Sequence, residues 1–141
     1  MINNLFIVLR GVPGSGKSTF ARSVKKDCDG NNTVCKIFST DDWFSQNGGF
    51  DPTKLVEAHE WNFNRTVEAF KEKVQVVILD NTNIRRAHFH KYIIQAEKYL
   101  YNVEERIIGK FGLDNLEVYY HRCVHNVPFG TIRRMAETFE S

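Results

Sequence analysis

Eight residues near the N-terminus constrain this chain more than any others. Gly11-Val12-Pro13-Gly14-Ser15-Gly16-Lys17-Ser18 keeps the spacing G-x-x-x-x-G-K-[ST]. Glycines let backbone N–H groups turn inward with no Cβ in the way, and a helix that follows adds its positive N-terminal end. That combination holds phosphate. Lys17 brings a mobile positive charge to the β- and γ-phosphates, and the Ser18 hydroxyl is a ligand for Mg²⁺. The expected cradle is Gly11, Pro13, Gly14, Ser15, Gly16, Lys17, Ser18 and Thr19, with a nucleoside triphosphate and Mg²⁺ as its cargo. Such a loop needs a strand before it and a helix after it. The apolar run from Leu5 to Arg10 supplies the first. Phe20 to Lys26 reads as the second, closed by the turn cluster Asp29-Gly30-Asn31-Asn32.

The same alternation continues along the chain. Cys35 to Ser39 reads as a second strand. Val56, Phe63, Val67, Phe70 and Val74 place one apolar face on a helix over 53–74. Val76 to Leu79 is continuously apolar, as expected of a strand covered on both faces. Phe89, Ile93, Ala96 and Leu100 predict another helix, and Glu105 to Phe111 a weaker fourth strand. Leu116, Tyr120, Cys123 and Val127 make a third helical stripe. Ile132, Met135, Ala136 and Phe139 make a fourth, with Pro128 where that helix would start. Strands alternating with helices predict an α/β fold, a parallel sheet of four or five strands with helices on both faces. With 141 residues and no linker, one domain over 1–141 is expected.

Bulk properties narrow the function classes. Nineteen Lys and Arg against seventeen Asp and Glu give a net charge of +2, too weak to argue for nucleic acid by charge alone. No apolar run approaches bilayer length and no secretory signal is visible, so a cytoplasmic, non-membrane protein is expected. Cys28, Cys35 and Cys123 form an odd set without CxxC spacing, against both a disulfide scaffold and a zinc site. No obligate protein partner is evident.

Ligands of a parallel sheet gather at the carboxyl ends of its strands, and acidic residues fall there. Asp80 ends the third strand in the pattern of a second Mg²⁺-site carboxylate; the alternative is a residue bonding its own Asn81-Thr82-Asn83 turn. Asp41 and Asp42 follow the second strand. Either one supplies a base for an acceptor hydroxyl, or the pair caps a short helix.

Together, Gly11 to Thr19, Ser39-Thr40-Asp41-Asp42 and Leu79-Asp80-Asn81-Thr82-Asn83 resemble the P-loop polynucleotide kinases. So does Arg122 followed by Val127-Pro128 and Ile132-Arg133-Arg134-Met135. These are the 5′-hydroxyl kinase domains of phage end-repair enzymes and their small cellular relatives. Phe50-Asp51-Pro52 and Ala58-His59-Glu60-Trp61-Asn62 look closer to the cellular branch. The resemblance implies a kinase-type P-loop NTPase fold with a helical lid over about 119–134. It also implies ATP-binding, Mg²⁺-dependent transferase chemistry in nucleic-acid end repair. It assigns Asp41 as general base, keeps Lys17 and Ser18 in the roles above, and puts Arg122 on the migrating phosphoryl group. Asn81-Thr82-Asn83 would lie near the acceptor. The chain departs from the phage pattern at Phe44, where those enzymes carry an arginine. Its lid offers His125 and Asn126 where theirs has a second arginine, and Asn81 matches the Asp of their third-strand motif.

Acceptor candidates are Asp42, Trp43, Trp61, Asn81, Asn83, Arg85 and Arg86. The basic run from Arg85 to Lys91 could hold backbone phosphates, or be a solvated helix face. Trp43, Phe44 and Trp61 could stack a base, or pack in the core. His59 reads as a structural hydrogen-bonder. Asp27-Cys28-Asp29-Gly30 imitates a phosphatase motif but follows a helix, not a strand. The leading expectation is transfer of the ATP γ-phosphate to the 5′-hydroxyl of RNA or DNA. The alternatives are a small-molecule kinase acting on a nucleoside or other alcohol, and a non-catalytic ATP-binding interaction module.

Overall fold

A computed structural model describes residues 3–123 and 127–141. Four strands run β1 (Leu5–Arg10), β2 (Cys35–Phe38), β3 (Val76–Asp80) and β4 (Asn102–Ile107). They form one parallel sheet in the order β2-β3-β1-β4. Strand alternation splits the core in two. Phe6 and Val8 of β1, with Val77 and Leu79 of β3, face α3 (Leu55–Lys71) and α4 (His90–Lys98). Ile7, Leu9 and Ile78 face Ala21 of α1 (Lys17–Gly30). A third cluster of Val12, Ile84, Leu116, Tyr119 and Ile132 joins the phosphate loop to α5 (Leu113–Arg122) and α6 (Phe129–Glu137). The α/β expectation is met, with β1 and β3 central and their carboxyl ends on one edge.

Several elements differ from the sequence reading, each for a physical reason. Helix α1 begins at Lys17, not Phe20, because it opens directly from the glycine loop. A six-residue α2 (Asp41–Gln46) follows β2, and a single 3₁₀ turn at Pro52–Lys54 leads into α3. The buried face of α3 is Ala58, Asn62, Thr66, Ala69 and Phe70, while Val56 is 81% exposed. Counting apolar residues missed part of this face because two of its members, Asn62 and Thr66, are polar. Thr66 Oγ1 donates to the Asn62 carbonyl at 2.7 Å. Leu100, placed on the α4 stripe, sits past the helix end with φ 67° and 83% exposure. Strand β4 starts three residues and ends four residues earlier than the expected segment. It is an edge strand whose charged Glu104, Glu105 and Arg106 mask the apolar signal, and Phe111 belongs to the α5–α6 cluster instead. In α5, Tyr119 rather than Tyr120 turns inward, because Tyr119 Oη accepts from the Lys110 N–H at 2.9 Å.

Candidate functional site

The phosphate loop leaves β1 at Gly11, whose N–H donates to the Thr82 carbonyl at 3.0 Å. That bond ties the loop to the turn after β3. Gly14 and Gly16 take φ of 80° and 107°, values that L side chains rarely adopt. A Cβ at Gly14 would also lie 2.1 Å from the Tyr119 carbonyl oxygen. Helix α1 starts at this loop with no side-chain cap and no acidic residue in its first turn. Its N-terminal charge is therefore left for an anion. The Ser15 Oγ is buried inside the loop without a hydrogen-bond partner among the described residues.

Lys17 is buried, and its ammonium donates to the Val12 carbonyl at 3.1 Å. Burial pulls its pKa below the ordinary lysine range, with Asp80 and then Asp41 opposing. Both carboxylates therefore act on this ammonium. Ser18 Oγ donates to Asp80 Oδ2 at 2.8 Å, which places the hydroxyl and the strand-end carboxylate side by side. Burial raises the Asp80 pKa, against the Ser18 hydrogen bond and the charge of Lys17. Among the described residues, no group of three or more His, Cys, Asp or Glu could hold a metal. The hard oxygen pair of Ser18 and Asp80 suits Mg²⁺ all the same. That ion keeps waters and phosphate oxygens and needs one or two protein ligands.

Across the sheet edge, the junction of β2 and α2 is pinned on both sides of Asp41. Thr40 N–H donates to Asn81 Oδ1 at 2.9 Å, and Thr40 Oγ1 lies 3.2 Å from His59 Nδ1. Arg65 of α3 donates to the Ser39 carbonyl at 2.8 Å and to Asp42 Oδ2 at 2.7 Å. Its Nε donates to Asn62 Oδ1 at 2.8 Å, and its guanidinium stacks on Trp61 at 3.9 Å and over Phe38 at 5.1 Å. Asp42 is thus engaged by Arg65. Asp41 is exposed, and its charge acts on Lys17. The sequence reading passed over Arg65; its signal was the three- and four-residue spacing of His59, Asn62, Arg65 and Thr66.

The remaining candidates divide. Asn81 joins the site through Thr40. Asn83 is buried, with φ 48°, and its amide donates to the Leu9 carbonyl at 2.7 Å, so it braces the loop base. Arg86 grips Glu105 with two bonds of 3.1 and 2.8 Å, which turns it toward β4. Arg85 is exposed. Trp43 and Trp61 are half-buried, Trp61 serving as the plate beneath Arg65. Arg122 is the exposed last residue of α5, 5.1 Å above the Tyr119 ring. His125 and Asn126 lie outside the described residues. No helix among the described residues is long and apolar enough to cross a membrane.

Comparison with known proteins fits this geometry. A family model described as an AAA domain matches residues 6–108. NEDD4-binding protein 2 of Homo sapiens is 38% identical over 138 residues, 96% of this chain, and the chain spans 8% of that protein's length. In the structure of the Pnkp1/Rnl/Hen1 RNA repair complex, one chain superposes with a TM-score of 0.75 at 16% identity. The match covers 99% of this chain and 45% of that one. A gluconokinase from Sinorhizobium meliloti 1021 gives a TM-score of 0.65 at 17% identity, over 99% of this chain and 77% of the other. The chain belongs to the AAA domain family and has the fold of the P-loop kinases.

Proposed function

We propose that this domain transfers the γ-phosphoryl group of ATP to a hydroxyl, the acceptor being the 5′-hydroxyl end of RNA or DNA. One observation carries the reading: Lys17, the Ser18–Asp80 pair and Asp41 converge at the carboxyl edge of the sheet. Asp41 accepts the acceptor's hydroxyl proton as the oxygen attacks phosphorus. Lys17 neutralises charge on the transferring phosphates, and the first-turn N–H groups of α1 orient them. Ser18 and Asp80 would hold Mg²⁺, which supplies charge neutralisation between β- and γ-phosphate oxygens when bound. Arg122, at the start of a lid over about 119–134, stabilises the migrating group, and closure limits hydrolysis by water. The fold shared with a gluconokinase and with a chain of an RNA repair complex supports phosphotransfer to a hydroxyl as the chemistry.

A small-molecule acceptor is the second reading. The pairing of Arg86 with Glu105 favours it, because it draws one cation away from any polynucleotide backbone. Incubation with Mg²⁺ and γ-labelled ATP, offering 5′-hydroxyl oligonucleotides beside free nucleosides, separates the two. Label on oligonucleotide ends that is lost in Asp41→Asn and falls steeply with salt supports the polynucleotide reading. Label confined to nucleosides selects the second. ATP binding without label on any acceptor removes both.

A further inference from the structure

The turn between α2 and the 3₁₀ segment presents an aromatic ring that the fold does not use. Phe50 is 64% exposed. It follows Gly48 and Gly49, both at positive φ, and the Gly49 N–H donates to the Phe44 carbonyl at 2.8 Å. Phe44 is buried directly behind it, with ring centroids 5.1 Å apart, and itself meets Trp43 edge-on at 5.3 Å. The Phe50 ring is thereby backed by packed aromatics while one side faces solvent. Asp41, Phe44, Ser45, Gly49 and Phe50 together bound a hollow of about 80 Å³.

Three features of this hollow define its occupant. Its wall includes Asp41, so whatever sits there lies beside the group assigned to take the hydroxyl proton. Among the described residues no cation lines it, and the guanidinium that reaches α2, Arg65, is bonded to Asp42 and Ser39. Its volume is about half of the roughly 150 Å³ that encloses a benzene ring, so a planar group enters part-way with one face on an aromatic wall. We propose that Phe50 is a stacking platform for the nucleobase of the acceptor's terminal nucleoside. The acceptor is then a nucleoside or a nucleoside-ended strand, rather than a sugar acid or simple alcohol. This inference rests on the hydroxyl-phosphorylating reading and makes it more specific. It also shifts the stacking role from Trp43 and Phe44, which are half-buried and buried, to a residue three positions beyond Asn47.

The test compares a 5′-hydroxyl oligoribonucleotide with one whose terminal residue is abasic. Phe50→Ala is expected to raise KM for the base-bearing strand about 5- to 150-fold, the range for one lost base–aromatic stack. It should leave KM for the abasic strand unchanged, and Phe50→Tyr should restore the wild-type value. Equal effects on the two strands, or none, would overturn the platform. A second measurement needs no turnover: NMR titration of the wild-type protein with adenosine, with ribose as control. Ring-current shifts of the Phe50 protons by adenosine alone, without label on any acceptor, would keep the subsite and remove the kinase reading. No shift, or an equal shift with ribose, would remove the subsite even if phosphotransfer is found.

Discussion

Arg10 lies 1% exposed at the end of β1, one residue before the phosphate loop. Its Nε donates to the Asn83 carbonyl at 3.0 Å, and its Nη2 donates to the carbonyls of Ile84, at 3.2 Å, and Glu140. Glu105 lies 3.5 Å from Nη1, and the guanidinium is sandwiched between the rings of Phe89 at 4.7 Å and Phe139 at 4.6 Å. Burial pulls its pKa down, and Glu105 opposes. Replacing it by methionine keeps an unbranched stem about as far as Nε and removes every one of these polar contacts. The Ile84 carbonyl keeps the Glu140 N–H at 2.9 Å, and Glu105 keeps Arg86, so neither is orphaned. Asn83 O is orphaned, at about 1–3 kcal/mol for a buried acceptor. Two desolvated cation–π contacts are lost at up to about 2 kcal/mol each, partly offset by the apolar methionine. The expected cost is roughly 3–5 kcal/mol, the range for breaking a buried charge cluster from one side. In a chain of this size that lowers Tm by roughly 6–20 °C. Urea unfolding monitored by circular dichroism measures it. Deleting Phe139–Ser141 should cost less and be sub-additive with Arg10→Met, because both remove the same sandwich. A loss below about 1 kcal/mol for Arg10→Met would refute the accounting.

Other outcomes follow from contacts already described. Arg65→Met should lower stability by about 2 kcal/mol, since charged donors to Ser39 and Asn62 are lost from a half-exposed site. It should also speed amide exchange at Asp42 and Trp43 at least tenfold by releasing the β2–α2 junction, with Arg65→Lys intermediate; unchanged exchange there would show that the junction is held by other means. Burial lowers the pKa of His59, with His88, Lys91 and Asp41 as further influences, and burial likewise lowers that of His88. For both, the folded state disfavours the proton, so their contribution is present above the unfolded value near 6.5 and is lost as pH falls through the folded values. Melting temperature should therefore fall between pH 7 and pH 5, with a shallower slope in His59→Gln. An unchanged slope in that variant would remove His59 from the explanation.

Much of this molecule can be read from its sequence, and the exceptions share a cause. The loop, both central strands and the α6 stripe are legible because glycine spacing, continuous apolar runs and helical periodicity are local signals. The buried face of α3 is not, because Asn62 and Thr66 look like surface residues until their partners are known. Strand β4 is obscured because an edge strand carries charge. The site divides the same way. Lys17, Ser18 and Asp80 sit at positions fixed by local backbone, so their meeting is implied by topology alone. That Asp42 is engaged by Arg65, 23 residues away in the chain, is stated by no local pattern. Asn83 and Arg86 show the converse. Each has the right chemistry for an acceptor, yet one faces inward to Leu9 and the other grips Glu105.

The contact of Gly14 with the Tyr119 carbonyl makes the two sides of the reaction centre mechanically unequal. There is no room for a side chain between the phosphate loop and the last turn of α5, and Arg122 lies three residues beyond that contact. On the opposite side, Gly48 and Gly49 have nothing within 4 Å of where a Cβ would stand. The turn beneath Phe50 is open where the phosphate loop is tight. A side chain is thus excluded at Gly14 by its neighbour, whereas at Gly48 and Gly49 only the positive φ resists one.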